Sequence, residues 1–325
     1  MPAEFSAHER TGMCWPTRSA IYAGRFDEAK RAHATVARTI SGYEPVTMIA
    51  NEADADEAAD MCGSGVDVVT APIDDAWFRD TGPIYVTAGN ERIGTYWRFN
   101  SWGGKFVPHD NDARLAATWL KMRGEKCVDV DMVLEGGSIN VDGEGLLVTT
   151  EQCLLHPNRN PKMGRGEIEA SLRERLGCTE VVWLPFGLSL DDDTDGHVDN
   201  VAAFIAPGIV MMQGCDDPRE EDFSRCAANI AAARAAGLTV HEIPVLPFVD
   251  VDGARVCVPY LNFYFVNGAV VVPTSGHPAD TDMLALIGDT IPDRDVIGLD
   301  VGTILAIGGG GIHCITQQVP AVSSR

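Results

Sequence analysis

Five short polar segments interrupt otherwise apolar, glycine-rich stretches of this 325-residue chain: Asp74–Asp80, Leu134–Ser138, Asp191–Asn200, Asn262 within Pro259–Phe265, and Gly308–Cys314. Charged groups beside strand ends and glycine turns are where functional sites gather. Each segment also has a plain structural explanation. Asp80 and Glu135 each follow a strand-like run and would serve as a cap or a surface charge; Arg79 would pair with Asp80, and Trp77 would fill core. The run Asp191, Asp193, Asp195 before Gly196 resembles a calcium loop, but Ala202 stands where the bidentate carboxylate would be needed and no helix pattern enters it. Otherwise it reads as a solvated acidic turn. His197 and Asp199 are two apart, so on an extended strand they would share a face while Val198 points into the core.

Cys314 follows four glycines, which let a backbone approach a ligand closely or adopt positive φ at an entropic cost. A thiol there reads either as core packing or as a nucleophile that needs a positive charge or a histidine nearby. His313 would project to the opposite face of an extended segment, which argues against it as the base. Taken together, Asp80, Glu135 and Asp199, with His197 and Cys314, suit a guanidinium substrate. That group is planar and permanently charged, and it binds carboxylates through paired, charge-assisted hydrogen bonds. Its central carbon is a poor electrophile, so it calls for a thiolate, and the bound cation itself helps to depress the thiol pKa.

Helices must position these groups, and their patterns begin with Asp27–Tyr43 and then near Asp54, Ala113, Gly166, Glu221 and Asp280. The last five recur roughly every 50–60 residues. Strand-like runs lie between them: Pro45–Ala50, Val66–Thr70, Pro83–Thr87, Arg92–Phe99, Gly145–Leu155, Glu180–Pro185, Val201–Met212, Leu261–Pro273 and Thr303–Gly308. About three strands per helix points to a repeat arranged around an axis rather than to a doubly wound sheet, and no G-x-G-x-x-G opens a helix. No linker divides the chain, so residues 1–325 read as one catalytic domain.

Lys and Arg total 25 against 47 Asp and Glu, a formal charge of −22. Such a surface disfavours nucleic acid and anionic membranes and attracts cations, besides serving solubility. No stretch is long and apolar enough for a membrane span, and the polar Met1–Arg10 lacks the apolar region of a secretory signal. The nine cysteines are odd in number and scattered, and the closest pair, Cys215 and Cys226, leaves no C-x-x-C for zinc. They read as free thiols, mostly buried, in a reducing cytoplasm.

The chain resembles the agmatine deiminases of the guanidino-group-modifying (pentein) superfamily. The likeness runs nearly end to end: Met1–Phe5, Cys14–Pro16, Trp77–Pro83, Asn100–Lys105, Glu135–Ser138, Asn158–Pro161, Gly196–Asn200, Pro259–Phe263, and Gly308–Cys314 continuing to Gln318. The resemblance implies an α/β-propeller of five ββαβ units around a pseudo-fivefold axis. It also implies hydrolysis of agmatine to N-carbamoylputrescine and ammonia with no metal or organic cofactor. By resemblance, Asp80 and Asp199 grip the guanidinium, Glu135 adds a hydrogen bond and a proton route, and Cys314 attacks the guanidinium carbon. His197 protonates the departing ammonia and then activates water, Asp193 faces the distal amine, and Trp77 lines the pocket. Two positions depart from the family, which usually has Asn at Asp195 and commonly at Gly311. An added carboxylate at Asp195 is expected to favour a cationic tail or to raise the pKa of Asp193. Alternatives are another small guanidine or peptidyl arginine as substrate, or a silent cation- or polyamine-binding protein on the same scaffold. A homo-oligomer is left open.

Overall fold

The computed structural model describes residues 1–322. Helices Phe26–Ser41, Ala55–Cys62, Asp112–Met122, Arg165–Leu176, Glu221–Ala235 and Asp280–Thr290 stand where the periodicity predicts them. The first shows why: Ala29, Ala32, His33, Val36, Ala37 and Ile40 are buried, an apolar stripe at three- and four-residue spacing. Small alanines let this helix lie close on the sheet beneath it.

One connection recurs between the helices. Strands Ile84–Ala88 and Glu91–Arg98 form an antiparallel hairpin, and helix Asp112–Met122 then carries the chain to Lys126–Val133, parallel to the second strand. The same order joins Ile139–Val141, Leu146–Thr150 and Glu180–Leu184. It recurs in Ala202–Ala206, Ile209–Gln213 and Thr239–Ile243, and again in Tyr264–Val266, Ala269–Pro273 and Asp295–Leu299. Parallel neighbours cannot be joined by a tight turn, so a helix must return the chain. The middle strand Ala269–Pro273 is buried along its whole length, as expected of a strand covered on both faces. A four-stranded sheet closes the two ends of the chain. Thr316–Pro320, just after Cys314, runs antiparallel to His8–Cys14, which pairs in parallel with Val46–Ala50, itself beside Val66–Thr70. The nucleophile candidate is thereby fixed to the start of the chain.

Several sequence expectations change. Thr303–Gly308, read as a strand, lies in helix Gly302–Ile307. Its Ile304 and Leu305 are buried on one helix face, and Gly302 presses so closely on the Thr274 carbonyl that an added Cβ would lie 2.7 Å from it. The strand predicted over Gly145–Leu155 ends at Thr150, whose hydroxyl accepts from the Cys153 amide (3.2 Å) and starts the turn Glu151–Leu154. Val201–Met212 and Leu261–Pro273 each break into a hairpin, at Gly208 and Gly268, both with positive φ. Residues 197–199 are not extended: Val198–Asn200 form a short 3₁₀ turn, with Val198 fully buried as anticipated. No helix among the described residues is long and apolar enough to cross a membrane.

Candidate active site

Asp80 sits on the single helical turn Phe78–Thr81, 6% exposed. The Gly137 amide donates to its Oδ1 and the Trp102 indole to its Oδ2, both at 2.9 Å. Aiming that indole requires Ser101 and Trp102 at φ 58° and 52°, a left-handed backbone that non-glycine residues adopt only under constraint. Gly137 marks the point of convergence. A Cβ there would lie 2.5 Å from His197 Nδ1, 2.9 Å from Asp80 Oδ1 and 3.0 Å from Asp199 Oδ2, so only glycine lets the three side chains meet. Arg79 does not pair with Asp80 as expected. It reaches Glu4 (2.9 Å), Gln318 (2.7 Å) and the His313 carbonyl (3.3 Å), tying the Cys314 segment to the N-terminus.

Glu135 is fully buried against Arg159, whose Nε donates to its Oε1 at 2.7 Å. The other guanidinium nitrogens reach Asn158, Asp195 and the Thr194 carbonyl. His197 lies between carboxylates, its Nδ1 3.9 Å from Asp80 and its Nε2 3.9 Å from Glu135. Burial opposes the imidazolium, but Asp80, Cys153 and Glu135 outweigh it and hold the pKa well above the ordinary histidine value. Burial raises Asp80, reinforced by Asp199 and Glu135. Glu135 also feels burial, yet Arg159 and His197 draw it below the usual carboxylate range.

Cys314 Sγ lies 3.5 Å from Asp199 Oδ2 and 3.4 Å from Asn262 Oδ1. Asn262 Oδ1 also accepts from the amides of His313 (3.0 Å) and Cys314 (3.4 Å), so one amide side chain aligns the segment. Burial, with Asp199 and Asp80, pushes the thiol pKa well above its ordinary value; without a bound cation the group is a neutral thiol. His313 corrects the expectation that it faces away. The chain turns at 311–315, and His313 Nδ1 is 2.9 Å from the same Asp199 oxygen while its Nε2 is 2.8 Å from Glu4. Bonded at both nitrogens, it orients Asp199 and has no lone pair left to act as a base.

These residues surround a pocket of about 340 Å³. Aromatic walls come from Trp77, Trp102 and Phe106, with Asp80 and Cys314 deep within and Asp193 also on the lining. Asp75 lines it too but is already paired with Arg18 at 2.8 Å. Glu135, His197 and Asp199 stand behind this lining, at most 2% exposed. Asp193 has its pKa raised by burial and by Asp191 and Asp192, against the pull of Lys105.

Asp195 does neither thing expected of it. It accepts from Lys105 (2.7 Å), Asn158 (2.9 Å) and Arg159 (2.7 Å) at φ 62°, so it staples the acidic loop, lies off the pocket lining and is not among the charges that raise Asp193. Asp191 likewise folds the loop on itself, accepting from Thr194 and from the His197 amide (3.1 Å) rather than standing in solvent. Gly311 has its own reason: a Cβ there would lie 2.3 Å from Asn262 Oδ1, so Asn262 takes the space a side chain at 311 would need. Trp102 and Arg159 were given no role from sequence, although both lie in the segments Asn100–Lys105 and Asn158–Pro161 that carry the family resemblance, and His313 was considered but set aside.

A model of the Porphyromonas-type peptidyl-arginine deiminase family matches residues 1–320. An agmatine deiminase of Stutzerimonas stutzeri (strain A1501) is 39% identical over 358 residues, covering 99% of this chain and 95% of that protein. Among solved structures, the agmatine deiminase of Enterococcus faecalis matches with a TM-score of 0.93 at 31% identity, over 99% of this chain and 95% of that one. The agmatine deiminase of C. jejuni with substrate bound matches with a TM-score of 0.91 at 26% identity, over 98% and 95% respectively. The α/β fold described above is shared with these structures.

Proposed function

Since this chain belongs to the Porphyromonas-type peptidyl-arginine deiminase family, we propose that it is a hydrolase of C–N bonds in linear amidines, converting agmatine to N-carbamoylputrescine and ammonia. One observation above all supports the reading. A buried thiol lines a narrow aromatic pocket together with the carboxylates of Asp80 and Asp193, and it stands 3.5 Å from the Asp199 carboxylate behind that lining.

Asp80 and Asp199 bind the guanidinium nitrogens, and the bound cation cancels the charges that hold Cys314 protonated. The thiol loses its proton to solvent, and the thiolate Sγ forms a bond to the guanidinium carbon. His197, kept as an imidazolium by Asp80 and Glu135, gives its proton to the departing nitrogen, and the C–N bond breaks to release ammonia and leave a thiouronium. The neutral imidazole then takes a proton from water as its oxygen attacks the same carbon, and the C–S bond breaks to give the ureido product. Glu135 supplies a hydrogen bond and a proton route beside His197. Trp77 flanks the alkyl chain, and Asp193 faces the distal amine. No metal or organic cofactor takes part.

The repeated strand–strand–helix–strand units form five blades around a pseudo-fivefold axis, with residues 1–325 as one catalytic domain. The nine free thiols support a reducing, cytoplasmic setting. Incubation with agmatine should release ammonia and a ureido product, and Cys314→Ala should cut turnover by about 10⁴-fold or more while the circular dichroism spectrum is unchanged. Normal turnover by that variant eliminates the mechanism. A panel of agmatine, arginine, guanidinobutyrate and an arginyl peptide reads out the tail preference.

A further inference from the structure

A second thiol stands beside the imidazole of His197, and it makes or breaks no bond in the proposed reaction. Cys153 is fully buried on the turn Glu151–Leu154. One ligand atom each from Glu135, Cys153 and His197 all lie within 4.8 Å of one another. Two of these side chains carry an unused atom. Glu135 Oε2 and His197 Nε2 are sealed from solvent, accept no hydrogen bond among the described residues, and stand 3.9 Å apart. A buried polar atom left without a partner costs about 1–3 kcal/mol. Two of them stand side by side next to a thiol, where a further ligand would satisfy both.

The donors are a carboxylate oxygen, an imidazole nitrogen and a sulfur, each a donor type that zinc accepts, and three protein ligands leave a fourth position open. Zinc bonds of about 2.0–2.3 Å in tetrahedral geometry put neighbouring ligand atoms roughly 3.4–3.6 Å apart. The observed 3.9 Å needs only a small closure. We propose that Glu135, Cys153 and His197 form an inhibitory site for a thiophilic divalent cation of the zinc type. This rests on the assignment of His197 and Glu135 to the reaction. On binding, the thiol and the imidazolium each release a proton, three protein–metal bonds form, and the group that would protonate ammonia is occupied. The chain's net charge of −22 favours arrival of the cation.

Cobalt(II) tests the site without any turnover. In Cys314→Ala protein, which lacks the competing nucleophile, added cobalt should give a sulfur-to-cobalt charge-transfer band saturating at one ion per chain. The band should vanish in Cys314→Ala/Cys153→Ala. A band that persists in the double variant, or none in the single one, overturns the site. The band does not depend on the substrate being agmatine, so failure of the functional reading is seen separately. In the otherwise native enzyme, Cys153→Ala should require about tenfold more zinc for half-inhibition, each protein being compared with its own zinc-free rate. Cys153→Ser, which keeps the side-chain size, should behave alike if the alanine variant folds poorly. Unaltered zinc sensitivity in the folded variant overturns the proposal.

Discussion

The floor of the pocket and its acidic loop both carry clustered carboxylates, yet they neutralise them differently. On the floor, Asp80, Glu135 and Asp199 are almost wholly buried, and each is held by a group from a distant part of the chain: Trp102 and Gly137, Arg159, and His313. At 191–195, most fixing contacts come from the loop itself or from Lys105, whose Nζ donates to the Asp193 carbonyl at 3.0 Å and to Asp195 at 2.7 Å. The floor is therefore set by tertiary structure and resists substitution, whereas the loop adjusts locally. In the proposed mechanism, chemistry resides in the first and selection of the substrate tail in the second. Arg159 belongs to both, with one nitrogen on Glu135 and another on Asp195.

The strongest challenge to this contrast is Arg159→Met. It strands the Glu135 charge in the interior, and breaking a buried pair in this way costs about 3–5 kcal/mol. A fall of that size in unfolding free energy, read from urea titration, should accompany loss of most activity. Adding Glu135→Gln should recover part of the stability but none of the turnover. The pH dependence follows from the sign of the shift. Glu135 is held below its unfolded value, so the pair contributes fully above the normal glutamate range and loses its contribution as pH falls through the native pKa. If the single variant melts like the parent, the floor is not held by this pair.

The same contrast explains what the sequence disclosed. Helix period and the strand pairs at 84–98 were legible because both rest on local alternation of apolar and polar residues. Helix Gly302–Ile307 was not, since Thr303 and Ile304 favour strands on their own and only packing of Gly302 against Thr274 decides the matter. Cys314, His197 and the carboxylates stood out by type and setting. His313 did not, because its direction depends on a turn held by Asn262, fifty-one residues earlier in the chain. Asp195 was misread for the opposite reason. Its charge was visible, but its three partners lie at positions 105, 158 and 159, which no local pattern connects.

Asp193→Asn sharpens the division with a smaller effect. Loss of the carboxylate should raise the KM for agmatine by about ten- to a hundredfold with kcat nearly kept, since the group binds the tail and takes no part in bond breaking. A guanidine without the distal amine should be hardly affected. Burial and neighbouring aspartates raise the Asp193 pKa, so its charge is present at high pH and disappears as pH falls through that raised value. An acid limb in kcat/KM for agmatine that is absent from the Asn variant is the expected signature. A drop in kcat for both substrates would instead move Asp193 to the floor.

Asp195→Asn should matter least, although it removes a charge bonded to the same Arg159 that holds Glu135. Asparagine tolerates the left-handed backbone at φ 62° and keeps one acceptor for Arg159 or Lys105. Those two cations hold the Asp195 carboxyl down at about 2, but the group is partly open to solvent, which screens some of that interaction. Stability should therefore fall by only about 1 kcal/mol, and KM for agmatine should rise by no more than about twofold as the loop loosens. Were KM to climb as far as in Asp193→Asn, Asp195 would have to swing from Lys105 toward the substrate, and the staple seen here would be one of two working positions of the loop.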